Sequence, residues 1–283
     1  MGLFKKAVTT AVFTAAVTLL FPFYGAGEEA EAPYGRVASS YILKLNGETL
    51  WAKNTERRLP PASLTKIMTG LIALKKAEVD DVVTVGRRAA RETGTRIGLK
   101  EGDRVYMGYL LAAALTHSAN DACHAVAEHV GGSEAAFVKM MNDEAKAMGL
   151  KNTNFQNACG HDNRRHYSTA GDLALLAEEA LKDESFSWIV SLVRSEIKTV
   201  DGGKKFWIEN KNELIGRYPG AVGVKTGFTR RAGKCLVAQI ERDEGKVLLV
   251  MLNAPNRWWG AVDMLDAAYR AATQQARYRT GLE

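Results

Sequence analysis

Ser63-Leu64-Thr65-Lys66 sets a hydroxyl three residues ahead of an amine. It follows Pro60-Pro61-Ala62 and opens an apolar pattern at helical spacing: Leu64, Ile67, Met68, Leu71, Ile72 and Leu74. Prolines suit the approach to a helix because they donate no backbone hydrogen bond. Positions three apart on a helix share a face. An unprotonated lysine there can accept the serine proton, and backbone N–H groups beside Ser63 can stabilise an oxyanion. Burial and a neighbouring cation hold a lysine neutral. Ser195-Glu196-Ile197-Lys198 repeats the spacing but runs into Thr199-Val200-Asp201-Gly202-Gly203, a strand entering a turn. On a strand, positions three apart face opposite sides, so that copy is discarded.

Two further segments could complete a site. Ser118-Ala119-Asn120 falls between two helical patterns. Alone, such a turn is an N-cap; beside Ser63 it offers a second hydroxyl for proton relay and an amide to hold a substrate carbonyl. Lys225-Thr226-Gly227 lies in a strand-like run over 222–228. Alone, it is an edge-strand lysine near a turn. As part of a site, Lys225 and Thr226 can bind a carboxylate, and Gly227 lets a substrate backbone approach.

The elements that must position these residues follow from periodicity. Strands over 40–44 and 49–53 flank Asn46-Gly47, a hairpin signal. The Ser63 helix runs to residue 77, and 82–85 and 96–105 cross a helical lobe as short strands or loops. Helices are expected over 106–115, 120–129 and 133–148, the last capped by Ser133. Residues 151–166, with Asn152, Asn154, Asn157 and Gly160, read as an ordered loop, followed by helices over 169–181 and 186–193. Strands over 197–200, 205–208, 222–226, 234–241 and 246–253 come next, the last two joined at Asp243-Glu244-Gly245. A helix over 263–277 closes the chain, with Val262, Leu265, Tyr269 and Ala272 on one face, suited to packing on the sheet. Strands at both ends and helices between them predict an α+β fold, an antiparallel sheet sewn from both termini with a helical lobe inserted. The Ser63 helix belongs where the two meet.

The bulk properties narrow the setting. Residues 1–26, with Lys5 and Lys6 ahead of an uncharged run to Phe23 and then Gly25-Ala26-Gly27, read as a secretory signal peptide. The rival is an uncleaved anchor, since the run nears spanning length; Pro22 and the threonines favour cleavage. Its removal takes two lysines from the formal charge of +6 and leaves +4. Residues 27–37 read as a flexible leader and 38–283 as the catalytic domain, extracytoplasmic in location. Basic residues do not interleave with aromatics, so no nucleic-acid partner is expected. Cys123, Cys159 and Cys235 are odd in number and far apart, which predicts buried free thiols rather than a disulfide framework. Cys123 lies three residues beyond Asn120, so a bulky reagent on it is expected to slow the chemistry. Nothing points to a metal or a cofactor.

Helix, turn and strand, in that order, resemble the penicillin-binding protein and serine β-lactamase superfamily, whose motifs are Ser-x-x-Lys, Ser-x-Asn and Lys-Thr-Gly. The longer runs Pro61-Ala62-Ser63-Leu64-Thr65-Lys66-Ile67-Met68-Thr69, His117-Ser118-Ala119-Asn120-Asp121-Ala122 and Val224-Lys225-Thr226-Gly227-Phe228-Thr229 resemble the serine D-alanyl-D-alanine carboxypeptidases. The likeness extends over residues 38–269. It implies a β-lactamase-like transpeptidase fold, peptidoglycan stem peptides as substrate and β-lactams as covalent inhibitors. It implies Ser63 as nucleophile, Lys66 as base and Ser118 as proton relay. Asn120, Lys225, Thr226 and Gly227 would hold substrate, and the N–H groups of Ser63 and Phe228 would form the oxyanion hole. The alternatives are a D,D-endopeptidase using the same residues, a serine β-lactamase, and a non-catalytic wall-binding protein. Ala119 and a 151–166 loop with Asp162 but no Glu-x-x-x-Asn disfavour the β-lactamase. Where some members carry a carboxylate-binding arginine after the last strands, Arg257 is the candidate here. The residues beyond 269 are too few for the C-terminal β-domain and anchor helix of well-known relatives, so no stable membrane anchor is expected after signal cleavage.

Overall fold

The computed structural model describes residues 34–280. The expected signal peptide, and the leader as far as residue 33, lie outside the described residues. Residues 34–37, assigned above to the flexible leader, form a turn instead. The Val37 N–H donates to the Tyr34 carbonyl at 3.1 Å, and the Tyr34 ring meets Trp51 edge-on at 5.1 Å between centroids. An aromatic and a valine with apolar surface to cover explain the difference.

Asn46-Gly47 turns β1 (Ser40–Leu45) into β2 (Glu48–Lys53), with φ of 51° and 87°. Two positive φ values in succession give the turn whose twist matches its strands. A 3₁₀ turn, Ala62–Thr65, leads into α1 (Lys66–Lys76), whose first eight residues are all buried. The lobe continues through β3 (Val82–Thr84), a short α2 (Arg87–Ala90) that the periodicity did not reveal, β4 (Arg104–Tyr106) and α3 (Met107–Ala112). A π-helical turn, Ala113–His117, then precedes α4 (Asn120–Gly131). Next come α5 (Glu134–Ala147), capped by Ser133 as expected, a long loop, α6 (Ala170–Ala180) and α7 (Glu184–Ser191). The discarded Ser195 copy lies on β5 (Arg194–Lys198), paired with β6 (Lys205–Glu209) in a separate hairpin.

β7 (Ala221–Thr229), β8 (Gly233–Arg242) and β9 (Gly245–Leu252) return the chain to the main sheet. Its order is β2-β1-β9-β8-β7, antiparallel throughout, so the N-terminal hairpin is sewn onto the last strand and β7 is an edge. Both faces are covered, and alternation along β9 sorts its side chains between them. Leu248, Val250 and Leu252 join α1 and the lobe, while Val247, Leu249 and Met251 join Met264, Leu265 and Tyr269 of α8 (Arg257–Thr280). α8 therefore packs on the sheet, as its apolar face predicts. It begins ahead of residue 263 with Gly260 inside it, where a Cβ would stand 2.6 Å from Val37 Cγ1. Among the described residues no helix is long and apolar enough to cross a membrane.

Leu265 is fully buried between α8 and the sheet. Leu265→Ala is expected to cost about 2–5 kcal/mol in urea unfolding. Trp259→Ala, on the solvent side of the same helix, is expected to stay within about 0.5 kcal/mol.

Candidate active site

The Ser63 turn sits between the edge strand and the lobe, and its shape is fixed by close backbone packing. Ala62 has φ of 49°, a left-handed conformation that costs a non-glycine residue energy and needs support from its surroundings. The support is glycine on two sides. At Gly160, φ is +87°, and a Cβ would lie 2.0 Å from the Ala62 carbonyl oxygen. At Gly227 a Cβ would meet the Pro61 carbonyl at 3.0 Å and the Ser63 nitrogen at 3.1 Å. The missing side chain at 227 thus makes room for the Ser63 turn itself, where the sequence suggested room for a substrate backbone.

In a 3₁₀ turn, positions three apart are eclipsed, a tighter stacking than an α-helix gives. Lys66 Nζ lies 3.1 Å from Ser63 Oγ. It also donates to Asn120 Oδ1 and to the Cys159 carbonyl, each at 2.8 Å. The side chain is fully buried, and among the described residues no carboxylate forms an ion pair with it. Burial brings its pKa down to about 7, while the charges of Glu92 and Asp121 act in the opposite direction. Near neutrality much of Lys66 is therefore an uncharged amine touching the Ser63 hydroxyl, the state that can take its proton.

Asn120 opens α4 without capping it; its side chain serves Lys66 and, through Nδ2, the Thr93 carbonyl at 2.6 Å. Ser118 stands two residues earlier with φ of 66°, and among the described residues its hydroxyl has no hydrogen-bond partner. On the other side, Lys225 and Thr226 are buried in the middle of β7. Burial, then the positive charges of Lys66 and Arg257, hold the Lys225 amine well below the usual lysine range. The charge of Lys225 also reaches His117, next to Ser118. Helix start, turn and edge strand therefore lie beside one another at one site. Phe228 is 62% exposed at its rim. Arg257 Nη1 donates to the Gly227 carbonyl at 3.1 Å and the Cys235 carbonyl at 3.0 Å, which brings that guanidinium to the end of β7. Thr229 Oγ1 donates to Asp162 at 2.7 Å and ties β7 to the loop before α6.

That loop supplies what the sequence reading missed. The Asn157 carboxamide oxygen accepts from the N–H groups of Gly160 at 2.7 Å and His161 at 2.9 Å, and so aims the Cys159 carbonyl at Lys66. Asp121 accepts from the N–H groups of Gly98 at 2.8 Å and Leu99 at 3.0 Å, pinning a rim loop over α4. The expectation of free cysteines is corrected for two of the three. Cys123 and Cys159 form a disulfide with Cα atoms 6.0 Å apart, a normal separation. Their 36-residue spacing hid the pairing, because the loop folds back onto the inward face of α4. Cys123 therefore presents no thiol to a reagent; Cys235 is free and buried. Among the described residues no cluster of three or more His, Cys, Asp or Glu is placed to hold a metal ion.

A family model described as D-alanyl-D-alanine carboxypeptidase, of peptidase family S11, matches residues 28–256. The chain is 40% identical over 236 residues to the D-alanyl-D-alanine carboxypeptidase DacF of Bacillus subtilis, covering 81% of this chain and 60% of that protein. It is 34% identical over 248 residues to DacC of Escherichia coli, covering 82% and 60%. The chain thus spans about three-fifths of the length of these curated relatives. Among solved structures, the Streptomyces K15 DD-transpeptidase superposes with a TM-score of 0.76 at 29% identity, covering 81% of this chain and 96% of that one. The α+β fold expected above is the fold of these proteins.

The disulfide makes a direct count possible. Denatured, unreduced protein should titrate with one thiol per chain, Cys235, and fully reduced protein with three.

Proposed function

The chain belongs to the D-alanyl-D-alanine carboxypeptidase family, and on that premise we propose that it removes the terminal D-alanine from peptidoglycan stem peptides through an acyl-enzyme on Ser63. The observation that carries this reading is the buried Lys66 amine 3.1 Å from Ser63 Oγ, with a pKa brought down to about 7 by burial. Lys66 takes the hydroxyl proton as Ser63 attacks the carbonyl between the two alanines. The N–H groups of Ser63 and Phe228 receive the oxyanion, whose charge develops only as attack proceeds. Collapse breaks the C–N bond, and the proton passes from Lys66 by way of the Ser118 hydroxyl to the departing amine. Water then attacks the ester and regenerates Ser63.

Substrate placement divides between the two walls of the cleft. Lys225 and Thr226 bind the terminal carboxylate. An anion there restores the charged form of a lysine that burial alone disfavours, so binding and protonation reinforce each other. Asn120 holds the acyl carbonyl while keeping Lys66 in place. β7 is an edge strand, so an extended peptide can lie along it. Gly227 and the exposed Phe228 border that path, and Arg257 backs it. A β-lactam presents an amide and a carboxylate to the same groups and acylates Ser63. The loop offers Asp162, engaged by Thr229, where rapid lactam hydrolysis would need a free base near the ester.

The site works outside the cytoplasm in this reading, with residues 1–26 as the export signal and 38–283 as the catalytic domain. The Cys123–Cys159 disulfide supports that setting, since such bonds persist in oxidising compartments.

A fluorescent penicillin should label the protein persistently, and Ser63→Ala should abolish the label. Mass spectrometry of a stem pentapeptide after incubation should show loss of one alanine. Cleavage of cross-linked dimers with pentapeptides left intact would make the enzyme an endopeptidase. Rapid turnover of the penicillin would make it a β-lactamase, and no labelling would refute the acyl-enzyme.

A further inference from the structure

Glu92 is largely buried beside the cleft, although no step above uses it. One carboxylate oxygen accepts from His124 Nδ1 at 2.7 Å, and the other accepts from His161 Nε2 at 3.0 Å. The two imidazoles come from different parts of the chain. His124 lies one helical turn beyond Asn120 on α4, and His161 follows Gly160 in the loop that carries the Cys159 carbonyl. Glu92 itself begins the rim loop whose Thr93 carbonyl accepts from the Asn120 side chain at 2.6 Å and whose Thr95 carbonyl accepts from the Asn120 N–H at 2.8 Å. A closed circuit results. Lys66 reaches Asn120; Asn120 reaches the rim loop; Glu92 on that loop reaches His161; and two residues back, Cys159 returns to Lys66.

We infer that Glu92 is a positioning residue for Lys66, holding together the rim loop, α4 and the Cys159 loop that supply the acceptors for its amine. The inference rests on the reading of Ser63 and Lys66 given above. A neutral amine makes weaker hydrogen bonds than an ammonium and is easily displaced from a nucleophile, so its acceptors need fixing from outside. The bridge is suited to that task because it is charge-assisted and shielded. Burial alone would raise the Glu92 pKa, but the hydrogen bonds from His124 and His161 and the charge of His161 take it far below the ordinary carboxylate range. Burial likewise disfavours a charged His124, yet the hydrogen bond it donates to Glu92 and the charges of Glu134, Glu128 and Glu92 raise its pKa. His124 Nε2 is buried 3.5 Å from Glu128 without a hydrogen bond, so its second nitrogen leans on that carboxylate only electrostatically. The groups facing Lys66 are Glu92 and Asp121, which favour its charged form, and Lys225, which opposes it.

The test separates binding from chemistry in acylation by a fluorescent penicillin. Glu92→Ala should lower the limiting acylation rate about tenfold or more while the dissociation constant of the initial complex stays within about twofold. Glu92→Gln keeps the shape without the charge; it should move the acidic limb of the acylation rate to lower pH, because a carboxylate that favours protonated Lys66 is gone. The His161 side chain is 39% exposed, so His161→Ala should fold and show the same selective rate loss. In the Glu92→Ala/His161→Ala double variant the losses should not add. Variants that acylate at the wild-type rate, lose only binding, or add independently would overturn the inference. If penicillin fails to label even the wild type, the functional reading fails, and the crystal structure of Glu92→Ala then decides: Lys66 released from Asn120 and Cys159 supports the bridge, and Lys66 unmoved refutes it.

Discussion

A fully buried lysine amine hydrogen-bonded to neutral oxygens is the constraint on which the rest of the molecule depends. Burial makes charge on such a group costly, so its proton is loosely held near neutrality. That leaves Lys66 able to shed its proton near neutrality, but a burden to fold around. The protein meets the demand with carbonyl and amide acceptors instead of a counter-ion. It keeps Glu92 and Asp121 at a distance where they moderate the shift without cancelling it.

The architecture follows from that demand. α1 is buried nearly all round, so Lys66 at its start can project only into the seam between lobe and sheet. The seam then carries the Asn120 turn and the Cys159 carbonyl within hydrogen-bond reach of Lys66, with the edge strand packed against the Ser63 turn. The sheet provides a rigid edge because both its faces are covered, by the lobe on one side and α8 on the other. Gly160 lets the Ser63 turn be gripped at a distance no side chain permits, and Gly227 closes on its other side more tightly than a Cβ ordinarily would. The disulfide and the Asn157 carboxamide then fix the loop that closes the site.

Periodic features were legible in the sequence. The Asn46-Gly47 hairpin, the α1 stripe, the capped α5 and the two-residue alternation of the late strands each carry their own local signal. Ser63 and Lys66 were legible because positions three apart on a helical turn share a face, whereas the Ser118 and Lys225 segments gained meaning only in combination with them. What stayed hidden depends on distant parts of the chain. The Cys159 carbonyl acts through its backbone and leaves no trace in residue type. Cys123 and Cys159 read as free because sequence distance says nothing about a loop folding back on α4. Glu92, His124 and His161 are single polar residues on three segments, and only the assembled fold makes them one bridge. Gly227 was flagged for close approach, and the packing of the Ser63 turn against it is a second such approach that only the fold reveals.

The most direct measurement is the titration of the Lys66 side-chain nitrogen by ¹⁵N NMR in the whole protein, assigned by its absence in Lys66→Arg. A midpoint near 7 is expected. An amine that stays protonated to about 10, as an ordinary lysine does, would contradict it.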